Sequence, residues 1–269
     1  MKFTILGSKG FIGSNIEKFL KELGHECYTP EIRNHDLSGE SLGHVIFAIG
    51  VPNFMERPFD AVEGHVCSLK KILEKCRYES LVYFSGTRVY SRMSSTNEDE
   101  PVLVNSLEHN DLYGISKLMG ESLCIATKNP NVKIVRLSNV TGFNPDTHLF
   151  LPSIIQEAVQ TNKIKIFTSL KSEKDYIYIN DVNNLIYKIM INGRDKIYNV
   201  ASGQNVTSGQ LLEKIKSITN CDIEISPNAP EYSFPIVSIN KIKKEFNFKP
   251  TNIIDKIDEI VESFRKFKE

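Results

Sequence analysis

Apolar positions in the first part of the chain switch between two spacings. "KFTIL" (Lys2 to Leu6) is a short β-rich run stopped by glycine, whereas "SNIEKFLKEL" repeats Ile16, Phe19, Leu20 and Leu23 at helical intervals. Strand, glycine turn and helix is how a βαβ unit opens. "HECYT" predicts a second strand. "VIFAIG" (Val45 to Gly50) and "SLVYFSG" (Ser80 to Gly86) read as buried strands, with the helical "HVCSLKKILEKC" (His65 to Cys76) between them. The helix "LYGISKLMGESLCIATK" is then followed by a further strand, "KIVRLSNV" (Lys133 to Val140). Helices that separate strands this regularly predict an α/β fold of Rossmann type, a doubly wound parallel sheet.

From about Asn144 the spacing loosens, with prolines at 145, 152, 227, 230, 235 and 250, then an amphipathic "IIDKIDEIVESFRKF". Residues 1–143 are expected to form the sheet domain with 175–203 returning to it, and 144–174 and 204–269 a smaller C-terminal lobe.

With 269 residues and 41% apolar composition, the chain can bury a substantial core. Lys plus Arg equals Asp plus Glu at 33 each, so no overall field attracts nucleic acid or an anionic membrane, and any phosphate must be held locally. The five cysteines are scattered and form no CxxC or Cys/His cluster, which argues against a disulfide framework and a metal site. The first apolar run carries no basic leader and no stretch reaches transmembrane length, so a cytoplasmic protein is expected.

The chemistry begins at "GSKGFIG". Gly7, Gly10 and Gly13 sit between the first strand and the first helix, where glycines permit tight turning and let a pyrophosphate approach backbone N–H groups at a helix N-terminus. Gly7, Lys9, Gly10, Phe11, Ile12 and Gly13 are therefore the candidate cofactor contacts. Glu31 falls about 20 residues beyond the loop, where an acid accepts bonds from a ribose and favours NAD(H). Lys9 and Arg33 are placed to meet a 2′-phosphate, which Glu31 would repel, and the balance is read towards NADP(H).

A second candidate is Tyr113 with Lys117. Any two side chains four apart on a helix share a face, so the spacing alone admits an ordinary surface pair. Moving a phenol from about 10 to about 7 takes roughly 4 kcal/mol. A cation about 4 Å away supplies about that much only in a partly shielded site.

The glycine loop, "FSGTRVYS" (Phe84 to Ser91), Tyr113 with Lys117, "RLSNVTG" (Arg136 to Gly142), "KDYIYINDV" (Lys174 to Val182) and "YNVASG" (Tyr198 to Gly203) occur in this order. The ordered set resembles the extended short-chain dehydrogenase/reductase family of nucleotide-sugar epimerases, dehydratases and ketoreductases, across nearly the whole chain. That resemblance implies a Rossmann domain for NAD(P), a C-terminal lobe for a nucleoside diphosphate sugar, and Tyr113 as acid or base at the reacting oxygen. Lys117 would hold the nicotinamide ribose and bias the phenol. Asn139 and Lys174 would contact the sugar or its diphosphate, with Arg88 a third candidate substrate contact. Homodimerisation through the helices flanking the sheet, including the one that carries Tyr113, is analogy with relatives.

One position departs from the family. Relatives carry Ser or Thr three residues before the Val-Tyr pair, and here that residue is Gly86. Thr87, then Ser85, are the candidates to supply the missing hydroxyl. The dehydratases follow their threonine with an Asp-Glu pair, and Thr87-Arg88 lacks that acid and base. His65 stands where many relatives have asparagine and reads as a satisfied core residue. The resulting expectation is a nucleotide-sugar 4-ketoreductase. A C4 epimerase that retains NAD is the alternative, and a non-catalytic dinucleotide sensor or scaffold the contrasting class.

Overall fold

The structure is a computed structural model and describes residues 1–32, 35–51, 54–146 and 149–268. In chain order it runs β1 (Lys2–Leu6), α1 (Phe11–Glu22), β2 (Glu26–Tyr28), β3 (His44–Phe47), α2 (Pro58–Val62), α3 (Ser68–Lys75) and β4 (Ser80–Gly86). Next come α4 (Leu112–Ala126), β5 (Val132–Leu137), β6 (Asn139–Thr141), α5 (Phe150–Thr161), β7 (Lys163–Ile166) and β8 (Glu173–Tyr178). The chain continues through α6 (Ile179–Asn192), β9 (Ile197–Val200), β10 (Asn205–Thr207), α7 (Ser208–Thr219), β11 (Asp222–Ile225), α8 (Asn240–Phe246) and α9 (Ile257–Lys268).

Two compact units divide it: Met1–Leu137, Asn183–Val200 and Ile239–Phe248 form the first, and Ser138–Val182, Ala201–Ser238 and Lys249–Glu269 the second. The first is built on a parallel six-stranded sheet of order β2-β1-β3-β4-β5-β9. Every residue of β4 is buried, the signature of a strand covered on both faces. Leu6, Val45, Phe47, Tyr83 and Ile134 are fully buried in its core.

Three expectations need correction here. "KIVRLSNV" is not one strand. β5 ends at Leu137 in the six-stranded sheet, and β6 restarts at Asn139 to pair with β8 in the second unit. The helix after β3 is also broken, because Glu63–Cys67 forms a π-turn between α2 and α3. The first unit takes back Asn183–Val200, a narrower stretch than 175–203, since Glu173–Tyr178 belongs to the β10-β8-β6 sheet. It also takes back α8, a return the sequence pattern does not announce. Glu245 accepts bonds from the Tyr198 hydroxyl at 2.7 Å and the Arg194 N–H at 2.8 Å, and Ile242 is fully buried.

The second unit holds the β10-β8-β6 sheet and the parallel pair β11-β7. Its helices α5, α7 and α9 bury Ile155, Leu211, Ile215, Ile260 and Phe264. Thr207 and Gln210 close a capping box at the start of α7, which satisfies two otherwise orphaned N–H groups. Among the described residues no helix is long and apolar enough to cross a membrane.

Candidate active site

The glycine loop is forced by its own geometry. Gly7 has φ of +94°, and a Cβ there would lie 2.8 Å from the Ala48 carbonyl carbon. A Cβ on Gly13 would overlap the Gly7 carbonyl oxygen, so the close seating of α1 against the loop requires glycine. Gly10 precedes the helix with no side-chain cap and no acid in the first turn, which leaves the early N–H groups, at Phe11 and Ile12 among others, available to an anion. Gly7 to Gly10 line a cavity of about 840 Å³ whose other walls include Glu31 and Ile49 to Val51. Loop, helix end and volume fit a dinucleotide. Gly13→Ala is expected to abolish dinucleotide binding in a fluorescence titration and to lower the melting temperature, because the added methyl must push α1 off the loop.

At the cavity rim Lys9 and Glu31 form an ion pair, and that contact holds the Glu31 carboxyl below its ordinary value. Both side chains are largely exposed, so the pair is screened and exchanges readily with another partner. Arg33 lies outside the described residues.

Tyr113 is the second residue of α4 and is half-buried. Its ring lies 5.3 Å from Phe54 and meets the edge of His65 at 5.5 Å and 86°. Lys117 is buried one turn on. Its amine donates to the Phe84 carbonyl at 2.9 Å and the Ile49 carbonyl at 3.2 Å, which ties α4 to the ends of two sheet strands. Burial lowers the Lys117 pKa to about 7. The amine stands 5.9 Å from the centre of the Tyr113 ring, as does the Arg88 guanidinium. Burial raises the phenol above its ordinary value, and the opposing charge comes from Arg88.

His65 is fully buried in the π-turn. Its Nε2 accepts the Val51 N–H at 3.2 Å, so Nδ1 carries the proton and donates to the Ser116 hydroxyl at 2.9 Å. Ser116 donates in turn to the Tyr113 carbonyl at 2.9 Å. Burial, then the Lys117 charge, lowers the His65 pKa to about 3, and the ring is neutral at physiological pH. A satisfied core histidine is what the sequence suggests, but its link between the cavity wall and the Tyr113 turn is visible only in three dimensions.

Gly86 ends β4 in extended backbone with φ of −148°, which any residue adopts. A Cβ there would sit 3.5 Å from the Tyr113 hydroxyl, an ordinary contact distance. The position facing the phenol is thus Gly86 itself. Successive residues of a strand point to opposite faces, so Ser85 does not share that direction. The Ser85 hydroxyl is buried with no hydrogen-bond partner among the described residues, and Thr87 opens a 3₁₀ turn in which it is buried. Arg88 is exposed, with its guanidinium 5.1 Å above the Phe54 ring. Phe54 carries no sequence motif, and only its place beside Tyr113 marks it.

In the second unit the Asn139 amide donates to the Asp175 carbonyl at 2.8 Å, and Lys174 lies on β8 opposite Val206. Asp175, between them in register, is the residue the sequence reading missed. Its carboxylate accepts from the Ser202 hydroxyl and the N–H groups of Ser202, Gly203 and Gln204 at 2.7–3.2 Å, and so fixes the turn after β9. An acid just before an alternating "YIYI" run was its only signal.

Comparison with known proteins agrees with this geometry. The chain is similar to the Escherichia coli dTDP-4-dehydro-6-deoxyglucose reductase, at 26% identity over 222 residues that cover 76% of this chain and 67% of that protein. It is 23% identical to the UDP-glucose 4-epimerase of Mycoplasma genitalium, covering 91% and 84% respectively. The solved structure of RMD from Pseudomonas aeruginosa complexed with NADPH shares the fold, with a TM-score of 0.80 at 18% identity over 99% of this chain and 100% of that one. A family model for the NAD dependent epimerase/dehydratase family matches residues 40–201, more than half of the chain. The protein is therefore a member of the NAD dependent epimerase/dehydratase family, a family of enzymes.

Proposed function

We propose that the protein is an NAD(P)-dependent nucleotide-sugar oxidoreductase, a 4-ketoreductase in which Tyr113 donates the proton to the ketone oxygen. The observation that carries this reading is the Tyr113 phenol, raised by burial and so protonated at neutral pH, whose neighbours His65 and Lys117 bond to Val51 and Ile49 of the glycine-loop cavity wall. A group held in its protonated form suits donation to a developing alkoxide. The bound dinucleotide would supply the hydride. Lys117 fixes the Tyr113 turn of α4 through its two carbonyl bonds, and its pKa of about 7 lets it carry charge near the reacting oxygen. Asn139 and Lys174 are assigned to the sugar diphosphate, Lys174 as a point charge without bidentate geometry. Thr87 followed by Arg88 offers no carboxylate pair for water elimination, which speaks for reduction over dehydration.

NADP(H) is the assigned cofactor: Lys9 would leave Glu31 for the 2′-phosphate, with Arg33 as its second cation. One observation favours the epimerase reading with NAD: Glu31 stands at the cavity rim, where it would accept the ribose hydroxyls. Denaturing the purified protein and identifying released dinucleotide, with NADPH and NADH titrations of the emptied protein, separates the two. An empty protein that prefers NADPH is the expected result. Stoichiometric bound NAD would transfer the assignment to the epimerase.

A further inference from the structure

Arg88 has no carboxylate partner among the described residues, although it stands beside the phenol proposed to do the chemistry. Asp111 is near enough to be stabilised as a carboxylate by Arg88, yet its oxygens are already taken. Arg92 binds them at 2.7 and 3.3 Å, and the Asn105 N–H donates at 2.8 Å. The Arg88 guanidinium instead lies over two aromatic faces, Phe54 at 5.1 Å and Tyr113 at 5.9 Å. A guanidinium held over aromatic faces by cation–π attraction keeps its N–H edge free to donate.

Two residues earlier, Gly86 withholds a side chain at a position that faces the Tyr113 hydroxyl. Its extended backbone does not call for glycine. The nearest neighbours of a Cβ there would be the Tyr113 hydroxyl at 3.5 Å and the Leu137 carbonyl oxygen at 3.7 Å, so a Cβ would fit without collision. Steric need in the protein therefore does not explain the glycine. Room beside the reacting oxygen does, if the substrate carries a substituent on the neighbouring carbon.

Resting on the oxidoreductase reading above, we infer that Arg88 is a specificity-determining residue which binds a carboxylate on the hexose, next to the carbon whose oxygen meets Tyr113, with Gly86 leaving the space for that group. The substrate class is then a nucleotide sugar of the uronic acid type. A charge-assisted, bidentate pair to a planar guanidinium is the strongest recognition available to such a group, and no hydroxyl at 86 competes for the space. A neutral hydroxymethyl group in the same place would leave the cation unmatched.

The test is calorimetry on the full chain saturated with NAD or NADP, with two matched pairs: UDP-glucuronic acid against UDP-glucose, and GDP-mannuronic acid against GDP-mannose. The native protein should bind the acid of at least one pair ten times or more tighter than its neutral partner. Arg88→Gln should bring that ratio to about one, and Arg88→Lys should retain part of it. Circular dichroism of both variants checks the fold, which the exposed position is expected to preserve. A ratio near one in the native protein, or a tenfold ratio that survives in Arg88→Gln, overturns the assignment; equal weakening of acid and neutral sugars by Arg88→Gln would place the guanidinium on the diphosphate and overturn it likewise. Binding of neutral sugars without preference removes only the role of Arg88. Failure of all four sugars to bind removes the nucleotide-sugar reading on which it rests.

Discussion

Tyr113→Phe is expected to lower turnover of a keto nucleotide sugar by about a thousandfold, with dinucleotide affinity retained. The substitution deletes one oxygen and keeps the ring contacts to Phe54 and His65, so the start of α4 has no reason to move. Where a serine or threonine stands at position 86, a second hydroxyl can steady the reacting oxygen. Here Gly86 offers none, and the loss should fall in the upper part of the range seen for general acids. A thousandfold loss is about 4 kcal/mol of barrier, on the scale of a proton delivered from a positioned donor. Single-turnover rates with prebound cofactor measure the step directly, and a drop of less than about tenfold would assign the proton to another group.

What the sequence carries is what local pattern carries. The β1–α1 turn is legible because three glycines, a strand and an amphipathic helix lie within some twenty residues, and sterics at Gly7 and Gly13 admit no other residue type. The Tyr113 and Lys117 spacing is legible for the same reason. The partners of Lys117 are not, since Ile49 and Phe84 are brought to it only by sheet order. The break at Ser138 hides inside a continuous strand-like run, because strands of two different sheets have the same residue preferences. The π-turn at His65 is hidden likewise. Its sequence reads as ordinary helix, and the bulge is fixed by bonds to Val51 and Ser116 from elsewhere in the chain.

The largest effect on stability is expected from Glu121, which no motif marks. Glu121 and Arg136 are both buried at 3% exposure. The guanidinium meets the carboxylate through two bonds, Nε to Oε1 at 3.0 Å and Nη2 to Oε2 at 2.6 Å, and donates Nη1 to the Tyr90 hydroxyl at 2.7 Å. Tyr90 passes the chain on to the Asn199 side chain at 2.9 Å, so one network joins β5, α4 and β9. Glu121→Leu leaves the Arg136 charge buried and unmatched, which costs about 3–5 kcal/mol. At about 2–4 °C per kcal/mol for a chain of this size, the melting temperature should fall by roughly 10 °C. Adding Arg136→Met should recover part of the loss, because the double variant strands no charge. A double variant less stable than Glu121→Leu would show that the two residues act independently. Glu121 also lies one turn beyond Lys117, and its charge works against the burial that lowers the Lys117 pKa. Without that carboxylate the amine holds its proton less often at neutral pH. Turnover of the folded Glu121→Leu fraction should therefore rise more steeply towards acid pH than that of the native enzyme, a shift in profile that loss of stability alone would not produce.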